Sequence, residues 1–285
     1  MKIKNRKYRL FWPALVLSFL FLATSNVWAH SYRRLSLTAR SAVILDANSG
    51  RILFAKNPRL RLPPASTTKV ITAMIALERL SMNDLVLVGS HAVDMAPSKA
   101  GLVAGTRYSV KDLVTAMMVS SSNDAAMALA EAVSGSEASF VKLMNEKAAR
   151  LGMKDTHFIN ATGLPSRNRI QEHHQYSTAY DLSRLMWYAS RDCRLDQMMA
   201  IKDTAIRGND GREIFLKTHN KMLWKTPGLV KGKTGWTLAS RHTFMGTNYA
   251  SPKMFTFAML SSRDPWIDIR RLATFGTMIA AKNRF

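Results

Sequence analysis

The stretch LPPASTTKVITAMIALERL, residues 62–80, sets two prolines in front of a helical segment that is apolar on nearly every side. The prolines favour an extended approach, and a helix without a polar face suits the centre of a protein rather than its surface. Ser66 and Lys69 stand at the start of this segment, and a separation of three residues puts both side chains on one helical face. We therefore predict a central buried helix that presents a hydroxyl and an amine together.

This pair of side chains suggests nucleophilic catalysis. A serine hydroxyl is a weak nucleophile until a base removes its proton, and a lysine amine can act as that base only when its pKa is lowered by burial or by a nearby cation. A serine in the first helical turn also lies among free backbone N–H groups that can stabilise an oxyanion. The pattern is weak alone, because Ser139 and Lys142 repeat it in a predicted surface helix.

The order of strand-like and helical segments predicts the fold class. Two β-rich runs flank residues 48–50, helical segments fill the middle of the chain, and the strand-like runs WTLASRHTFMGTNYA and MFTFAML precede a last helix that begins near Pro265. We expect an α/β (α+β) fold in which N- and C-terminal strands form an antiparallel sheet with flanking helices. An all-helical subdomain is inserted at about residues 70–205, and a cleft lies at the junction.

The N-terminus has the pattern of a secretion signal. Basic residues 1–9 precede an apolar run over residues 10–23 and a small-residue cleavage site, so we predict a signal peptide over residues 1–29, cleaved after Ala29. An uncleaved anchor is the alternative. The expected organisation is one catalytic domain over residues 30–285 with no second C-terminal domain, located in the periplasm or cell envelope.

Net charge limits the class of binding partners, and cysteine content limits how the fold can be stabilised. The formal charge of +22 falls to +17 without the five basic residues of the signal, and it predicts association with an anionic envelope, whereas export argues against nucleic acid. A scattered, solubilising charge is the alternative. Cys193 is the one cysteine of an exported chain, so the fold must be held by packing rather than by disulfides.

Two further short motifs accompany the first. The Ser-x-Asn motif at residues 121–123 stands between two predicted helices, and the same pattern recurs at residues 166–168. The Lys-Thr-Gly motif at residues 233–235 occurs once; its lysine and hydroxyl can hold a carboxylate, and its glycine admits a ligand backbone. Lys233 in the same cleft would also help to keep Lys69 neutral. The three motifs in this order are the signature of penicillin-binding proteins and class A β-lactamases.

The resemblance extends beyond the motifs. The segments SAVILDANSGRILFAKN, LPPASTTKVITAMIALE, SSSNDAAMALAEAVSGS, LGMKDTHFINATGLP, YSTAYDLSRL and GKTGWT resemble the D-alanyl-D-alanine carboxypeptidase family of low-molecular-mass penicillin-binding proteins over roughly residues 41–260. The resemblance implies a β-lactamase-like fold and a serine-type carboxypeptidase that acts on peptidoglycan stem peptides. It also implies covalent inhibition by β-lactams, a monomer, and no cofactor or metal.

The family's residue roles carry over by position. By resemblance Ser66 would attack the bond between two D-alanines with Lys69 as base, and Ser121 would pass a proton to the departing amine. The backbone N–H groups of Ser66 and Trp236 would form the oxyanion hole. The residues that would bind substrate are Asn123, Lys233, Thr234, Gly235 and Trp236. Relatives commonly carry a small apolar residue before the lysine of the third motif, where this chain has Lys231-Gly232.

Other functions stay open at this point. A peptidoglycan D,D-endopeptidase would use the same chemistry on a cross-link and needs a wider cleft beyond Lys233. A β-lactamase needs a deacylating carboxylate, and Glu172 stands in the right interval, although RIQEHHQY does not resemble the expected loop. A catalytically silent wall-binding protein is the non-enzyme alternative. The pair His173-His174 lacks the HExxH spacing of a zinc hydrolase.

Overall fold

The structure, a computed structural model, describes residues 35–165, 175–226, 230–250 and 253–282. The chain divides into two units, Met1–Ser36 and Leu37–Phe285, and every element named here lies in the second. The predicted signal segment lies outside the described residues. The strands are β1 (Ser41–Asp46), β2 (Ile52–Lys56), β3 (Leu85–Leu87), β4 (Arg107–Ser109), β5 (Asp203–Arg207), β6 (Glu213–Lys217), β7 (Val230–Thr237), β8 (Arg241–Ala250) and β9 (Lys253–Ser262). The helices are α1 (Lys69–Arg79), α2 (Ser90–Val93), α3 (Val110–Val119), α4 (Asn123–Ser134), α5 (Glu137–Arg150), α6 (Ala179–Ala189), α7 (Cys193–Met198), α8 (Met222–Lys225) and α9 (Pro265–Lys282).

The main sheet joins the two ends of the described chain. Its five strands run in the order β2-β1-β9-β8-β7, and each neighbouring pair is antiparallel. Ser41 at the start of β1 pairs with Leu260 in β9, so the N-terminal hairpin extends the C-terminal one. The predicted sheet of N- and C-terminal strands is confirmed.

The hairpin turn between β1 and β2 is stabilised by one carboxylate. Asp46 Oδ1 accepts hydrogen bonds from the backbone N–H groups of Asn48 and Ser49, at 2.8 and 3.0 Å. Asp and Asn side chains that bond to nearby backbone compete with extended structure and so favour turns. The chain therefore reverses where the sequence predicts it.

Helix α1 occupies the centre of the molecule, as predicted. Nine of its residues, Lys69 to Leu77, are buried, which agrees with a segment that is apolar on nearly every side. Helix α6 packs against the sheet. Thr178 and Asp181 have the sequence spacing of a capping box, and Thr178 accepts a hydrogen bond from the backbone N–H of Asp181 at the start of this helix. The C-terminal helix α9 buries Ile269 and Leu272.

The inserted region is mainly helical but also contains strands. Strands β3 and β4 pair with each other in a small antiparallel sheet, and β5 and β6 pair in another that follows the insert. The three residues of β3 alternate exposed, buried and exposed, the period-two pattern of a half-buried strand. This adds a strand pair to the subdomain that the sequence predicts to be all-helical.

One predicted strand is divided into two. The run WTLASRHTFMGTNYA contains the end of β7, a turn over residues 238–240, and the start of β8. Ser240 Oγ accepts a hydrogen bond from Thr237 N at 2.9 Å, so a side chain closes the turn. The Lys-Thr-Gly motif therefore lies inside β7 rather than before a strand.

Two further properties of the described residues are the character of their helices with respect to a membrane and the state of their cysteine. No helix in the ranges given above is both long enough and apolar enough to cross a membrane. Cys193 is a free, exposed cysteine, so packing rather than a disulfide holds the described fold.

Candidate active site

Ser66 stands in a strained turn directly before α1. Residues 65–68 form one turn of 3-10 helix, and Ala65 has a φ of +49°, which is rare for a residue with a side chain. The turn is fastened to the sheet, because Thr67 Oγ1 and Thr243 Oγ1 both donate to Pro64 O, at 2.7 and 3.0 Å. The prolines and strand β8 together fix the position of the serine.

Lys69 lies fully buried beneath the serine. Its Nζ is 3.0 Å from Ser66 Oγ and donates to the backbone oxygen of Thr162 at 2.8 Å. Burial lowers the pKa of Lys69 well below its ordinary value, and the nearby Lys233 lowers it further, whereas Asp124 opposes the shift. The lysine therefore sits where its neutral form, the form that can accept a proton, is favoured. The direction of this shift agrees with the influence of Lys233 that the sequence analysis predicts.

Lys233 joins the second and third motifs. Its Nζ donates to Ser121 Oγ at 2.9 Å and to Thr234 O at 2.7 Å. Burial lowers the pKa of Lys233 to about 7. Ser121 itself has a φ of +62°, an uncommon backbone conformation that is typical of functional sites. A continuous pair of contacts thus links the loop before α4 to strand β7.

Asn123 presents an unpaired acceptor. Its backbone N–H donates to Ser98 O and its Nδ2 donates to Ala96 O, both at 2.7 Å. Its Oδ1 is buried and has no hydrogen-bond partner among the described residues. A buried carbonyl without a partner costs free energy, so this oxygen is suited to accept an N–H from a ligand.

The neighbouring Asp124 is a site-forming residue that sequence reasoning missed. Its buried carboxylate accepts hydrogen bonds from the backbone N–H groups of Ala100, Gly101 and Leu102, at 3.0, 2.9 and 3.1 Å. These bonds hold the loop that carries Ala96 and Ser98 against α4. The Ser-Asn-Asp sequence could have indicated it, because an acid in a first helical turn is favoured by the helix dipole.

A second missed element is the loop over residues 160–164. Asn160 Oδ1 accepts hydrogen bonds from Thr162 N at 3.2 Å and from Gly163 N at 2.7 Å, which orients the Thr162 carbonyl that Lys69 contacts. Thr72 Oγ1 in α1 donates to Ala161 O at 2.7 Å and fastens the same loop. The Asn-x-x-Gly pattern is a turn signal, but nothing local places it beside Lys69.

Gly235 allows strand β7 to pass close to the serine. A Cβ atom placed on Gly235 would lie 2.8 Å from Ser66 N and 2.4 Å from Thr243 Oγ1, closer than real Cβ contacts. Only a glycine therefore lets β7 approach the backbone N–H of Ser66 at this distance. The glycine before Lys233, where relatives commonly carry a small apolar residue, has a similar cause. A Cβ on Gly232 would lie 2.2 Å from Met245 O. Lys231 turns away and pairs with Asp196 at 2.5 Å.

These residues line one cleft of about 640 Å³. Of the predicted site residues, those that line it are Ser66, Ser121, Asn123, Thr234, Gly235 and Trp236. Lys69 and Lys233 are buried and reach the cleft through their contacts to Ser66 and Ser121. His219 and Trp266 also line it and were not predicted; burial, Lys233 and Lys69 lower the pKa of His219. The Trp236 side chain is 56% exposed.

The competing Ser139–Lys142 pair does not line this cleft. Ser139 and Lys142 are exposed on α5, as predicted. The second Ser-x-Asn at residues 166–168, Glu172 and the His173-His174 pair lie outside the described residues. Within the described ranges, no carboxylate lines the cleft and no group of three or more His, Cys, Asp or Glu side chains could hold a metal ion.

Comparison with known protein families gives one result over most of the chain. The family model for D-alanyl-D-alanine carboxypeptidase matches residues 28–260. A D-alanyl-D-alanine carboxypeptidase of Bacillus subtilis, DacF, is 35% identical over 70% of this chain and 51% of its own length. A D-alanyl-D-alanine endopeptidase of Pseudomonas aeruginosa is 33% identical over 72% of this chain and 66% of its own length. The chain thus spans about half the length of the first relative and about two thirds of the second.

Solved structures agree in fold. The crystal structure of a D-alanyl-D-alanine carboxypeptidase from Mycobacterium tuberculosis superimposes with a TM-score of 0.80 at 28% identity and covers 87% of this chain and 94% of its own. A Streptomyces DD-transpeptidase superimposes with a TM-score of 0.77 at 23% identity, over 85% of this chain and 97% of its own. At that identity the second likeness concerns the fold alone.

Proposed function

Because the chain belongs to the D-alanyl-D-alanine carboxypeptidase family, we propose that it is a serine-type D-alanyl-D-alanine carboxypeptidase acting on peptidoglycan stem peptides. The observation that carries the proposal is the buried Lys69 amine, 3.0 Å from Ser66 Oγ and with a lowered pKa. A neutral amine at hydrogen-bond distance from a hydroxyl is the arrangement that general-base activation of a serine requires.

The first half-reaction is acylation. Lys69 accepts the proton of Ser66 Oγ as this oxygen attacks the carbonyl carbon between the two D-alanines, and the C–O bond forms while the peptide C–N bond breaks. The negative charge that develops on the carbonyl oxygen is stabilised by backbone N–H groups of Ser66 and Trp236 beside Gly235. The proton reaches the departing amine through Ser121, which Lys233 contacts at 2.9 Å. Water then hydrolyses the ester in the second half-reaction.

Substrate orientation follows from the remaining contacts. Thr234 and the Lys233 ammonium bind the terminal carboxylate, because a cation and a hydroxyl on one strand offer charge-assisted hydrogen bonds. The unpaired Asn123 Oδ1 accepts an amide N–H of the acyl donor. The peptide lies along β7, and Gly235 leaves room for it beside Ser66.

A peptidoglycan endopeptidase is the second candidate. It is favoured by the similarity to the Pseudomonas aeruginosa D-alanyl-D-alanine endopeptidase. The two sequences are 33% identical, and the match covers 72% of this chain and 66% of that enzyme. Both reactions cleave a peptide bond after a D-alanine, so the residues above serve either. A β-lactamase is less well supported, because it needs a deacylating carboxylate and the segment RIQEHHQY, which contains Glu172, does not resemble the expected loop.

We further propose export and wall association. Cleavage after Ala29 releases a periplasmic enzyme with a net charge of +17, which favours the anionic cell envelope. β-Lactams acylate Ser66 in place of the substrate. Intact-mass measurement of the protein from a periplasmic extract tests the cleavage site, and a protein that retains residues 1–29 would contradict it.

The test of activity uses purified muropeptides that contain pentapeptide monomers and cross-linked dimers. We expect the wild-type protein to remove the terminal D-alanine from the monomers, and Ser66→Ala to remove none, as followed by mass spectrometry. Conversion of dimers to monomers would favour the endopeptidase. Absence of any Ser66-dependent product, in a protein that is folded by circular dichroism, would leave a catalytically silent wall-binding protein.

A further inference from the structure

A second cavity, of about 340 Å³, adjoins the active-site cleft. Ala239, in the turn between β7 and β8, lines both. We call this second space the arginine cavity, and its lining residues are Thr38, Arg40, Ala239, Arg241, Ser261 and Arg263. It lies at the end of the strand that carries the Lys-Thr-Gly motif.

The three arginines of the arginine cavity are exposed residues. The nearby buried carboxylate of Asp268 is held by Thr38 and Ala39 rather than by a guanidinium group. Within the described ranges, the guanidinium groups of Arg40, Arg241 and Arg263 form no salt bridge to a carboxylate. Three like charges around one space repel one another, and a bound anion removes that repulsion. Guanidinium groups are also the side chains best suited to hold a carboxylate or phosphate, because their planar N–H donors match two oxygens.

The backbone around the cavity is irregular. The β8–β9 register pairs His242 with Ser262 and Phe244 with Met259, so two residues of β9 face one of β8 and form a bulge. Ser261 in the bulge has a φ of +57° and lines the cavity, and its hydroxyl forms no hydrogen bond to another described residue. A hydroxyl that is open to a cavity can donate to a ligand there, and a residue with positive φ is often found at functional sites.

The direction of the substrate points to this cavity, if the proposed function is correct. The terminal carboxylate lies at Lys233 and Thr234, and the scissile carbonyl lies beside Gly235, so the acyl donor continues along β7 towards Thr237. Two residues of strand cover about 7 Å. Thr237 pairs directly with Arg241. A group carried two to three residues before the scissile bond therefore reaches the arginine cavity.

We propose that the arginine cavity binds a carboxylate carried by the acyl-donor part of the stem peptide. This proposal rests on the proposed function and specifies its substrate: a stem peptide with a free carboxylate on the donor side is preferred over one in which that group is amidated. The carboxylate forms charge-assisted hydrogen bonds with the arginines and accepts a hydrogen bond from the Ser261 hydroxyl.

The test measures binding without turnover. The Ser66→Ala protein is titrated with the pentapeptide L-Ala-D-γ-Glu-L-Lys-D-Ala-D-Ala, whose donor part carries one free side carboxylate, and with the same peptide in which that group is a carboxamide. The same titrations are then made with a Ser66→Ala protein that also carries Arg40→Gln and Arg263→Gln. Arg241 is kept because its φ of +55° makes a substitution there ambiguous. The matched control is Arg51→Gln with Arg79→Gln, which removes the same charge from exposed positions elsewhere.

We expect the carboxylate peptide to bind about tenfold more tightly than the carboxamide. This preference falls to less than about twofold in the Arg40/Arg263 double variant and stays in the control. Equal affinity for the two peptides, or an equal loss in the control, would overturn the proposal. Inorganic phosphate should weaken binding of the carboxylate peptide alone, because it carries the same anionic oxygens.

Two measurements separate this proposal from its alternatives. Sedimentation with phosphatidylglycerol vesicles that is lost in the double variant, in the absence of any peptide preference, would assign the cavity to a lipid headgroup and overturn the proposal. Turnover of both peptides by the protein with Ser66 intact tests the proposed function separately. Binding preference without turnover would refute the carboxypeptidase activity while the carboxylate site stands.

Discussion

Two Ser-x-x-Lys pairs occur on helices of this protein, and their surroundings differ in every respect that affects chemistry. Lys69 is completely buried, and its Nζ lies 3.0 Å from Ser66 Oγ. Lys142 and Ser139 are exposed on α5. Ser139 Oγ accepts a hydrogen bond at 3.0 Å from Ser136 Oγ, and Ser136 is the N-cap residue of that helix. One serine faces a lysine whose pKa is lowered, and the other takes part in the start of a surface helix.

The difference shows that spacing brings the two groups together but does not activate them. Activation comes from parts of the chain that are distant in sequence: the loop that carries Thr162 and the strand that carries Lys233. These elements exclude water from the Lys69 amine and add a positive charge near it. On α5 no such cover exists, so Lys142 keeps its hydration. The following predictions test this contrast, in order of decreasing effect.

The largest effect is expected for the two serines. Ser66→Ala should lower acylation by a fluorescent penicillin by about four orders of magnitude or more, because the proposed nucleophile is removed. Ser139→Ala should acylate at the wild-type rate. Labelling followed by gel fluorescence measures both, and residual Ser66-independent labelling at the wild-type rate would disprove the assignment of the nucleophile.

The two lysines should differ next most strongly. Lys69→Ala removes the proposed base and should lower the acylation rate by about 10²- to 10⁴-fold, the usual contribution of general-base catalysis. Lys142→Ala leaves α5 exposed and should change the rate by less than about twofold. Stopped-flow acylation checks both variants, with thermal unfolding to establish that each is folded. A Lys69→Ala protein that acylates at the wild-type rate would contradict the role of the base.

The close approach of β7 to Ser66 gives an intermediate effect. Gly235→Ala introduces a Cβ that would lie 2.8 Å from Ser66 N, so the strand must move away from the serine. A displacement of about 1 Å at a reacting centre costs about 100-fold in kcat/KM. Steady-state hydrolysis of a D-Ala-D-Ala peptide measures this loss. Unchanged kcat/KM would mean that the strand does not define the geometry of the site.

A change of one pH unit should show the smallest effect. Activity requires neutral Lys69, whose lowered pKa sets the acidic limb, and charged Lys233, whose pKa is lowered to about 7. As pH rises through 7, Lys233 loses its proton, and kcat/KM should fall by about tenfold per pH unit above it. A bound carboxylate favours the ammonium form of Lys233, so the alkaline limb of kcat should lie at higher pH than that of kcat/KM.

Lys233→Arg should lose the alkaline limb, because a guanidinium stays charged. An alkaline limb that persists in this variant would assign the limb to another group.

Local patterns in the sequence were enough to predict much of the fold. The hairpin at residues 48–50, the capped start of α6 and the central buried helix follow from turn residues, caps and apolar spacing, each of which acts over a few residues. The strand pair β3–β4 and the turn over residues 238–240 were not predicted. Both depend on packing or on a single side-chain bond, such as Thr237 N to Ser240 Oγ, that has no periodic signal.

The candidate site divides in the same way. Its side chains are recognisable as three ordered motifs, but Asp124, Asn160 and the Thr162 carbonyl were missed. Asp124 acts by holding backbone N–H groups, and Thr162 acts through a main-chain oxygen that any residue has. A sequence does not distinguish such groups, because their role depends on where the backbone passes and not on the residue type.

The sequence by itself determined which groups are present: a serine and a lysine on one helical face, a Ser-x-Asn between helices, and a Lys-Thr-Gly near the C-terminal strands. The tertiary structure alone decided which Ser-x-x-Lys is enclosed, how far β7 stands from Ser66, and that three arginines from separate segments surround one cavity. The physical reason is desolvation. A lysine changes its pKa only when the fold removes water from it, and that removal involves residues 90 or more positions away.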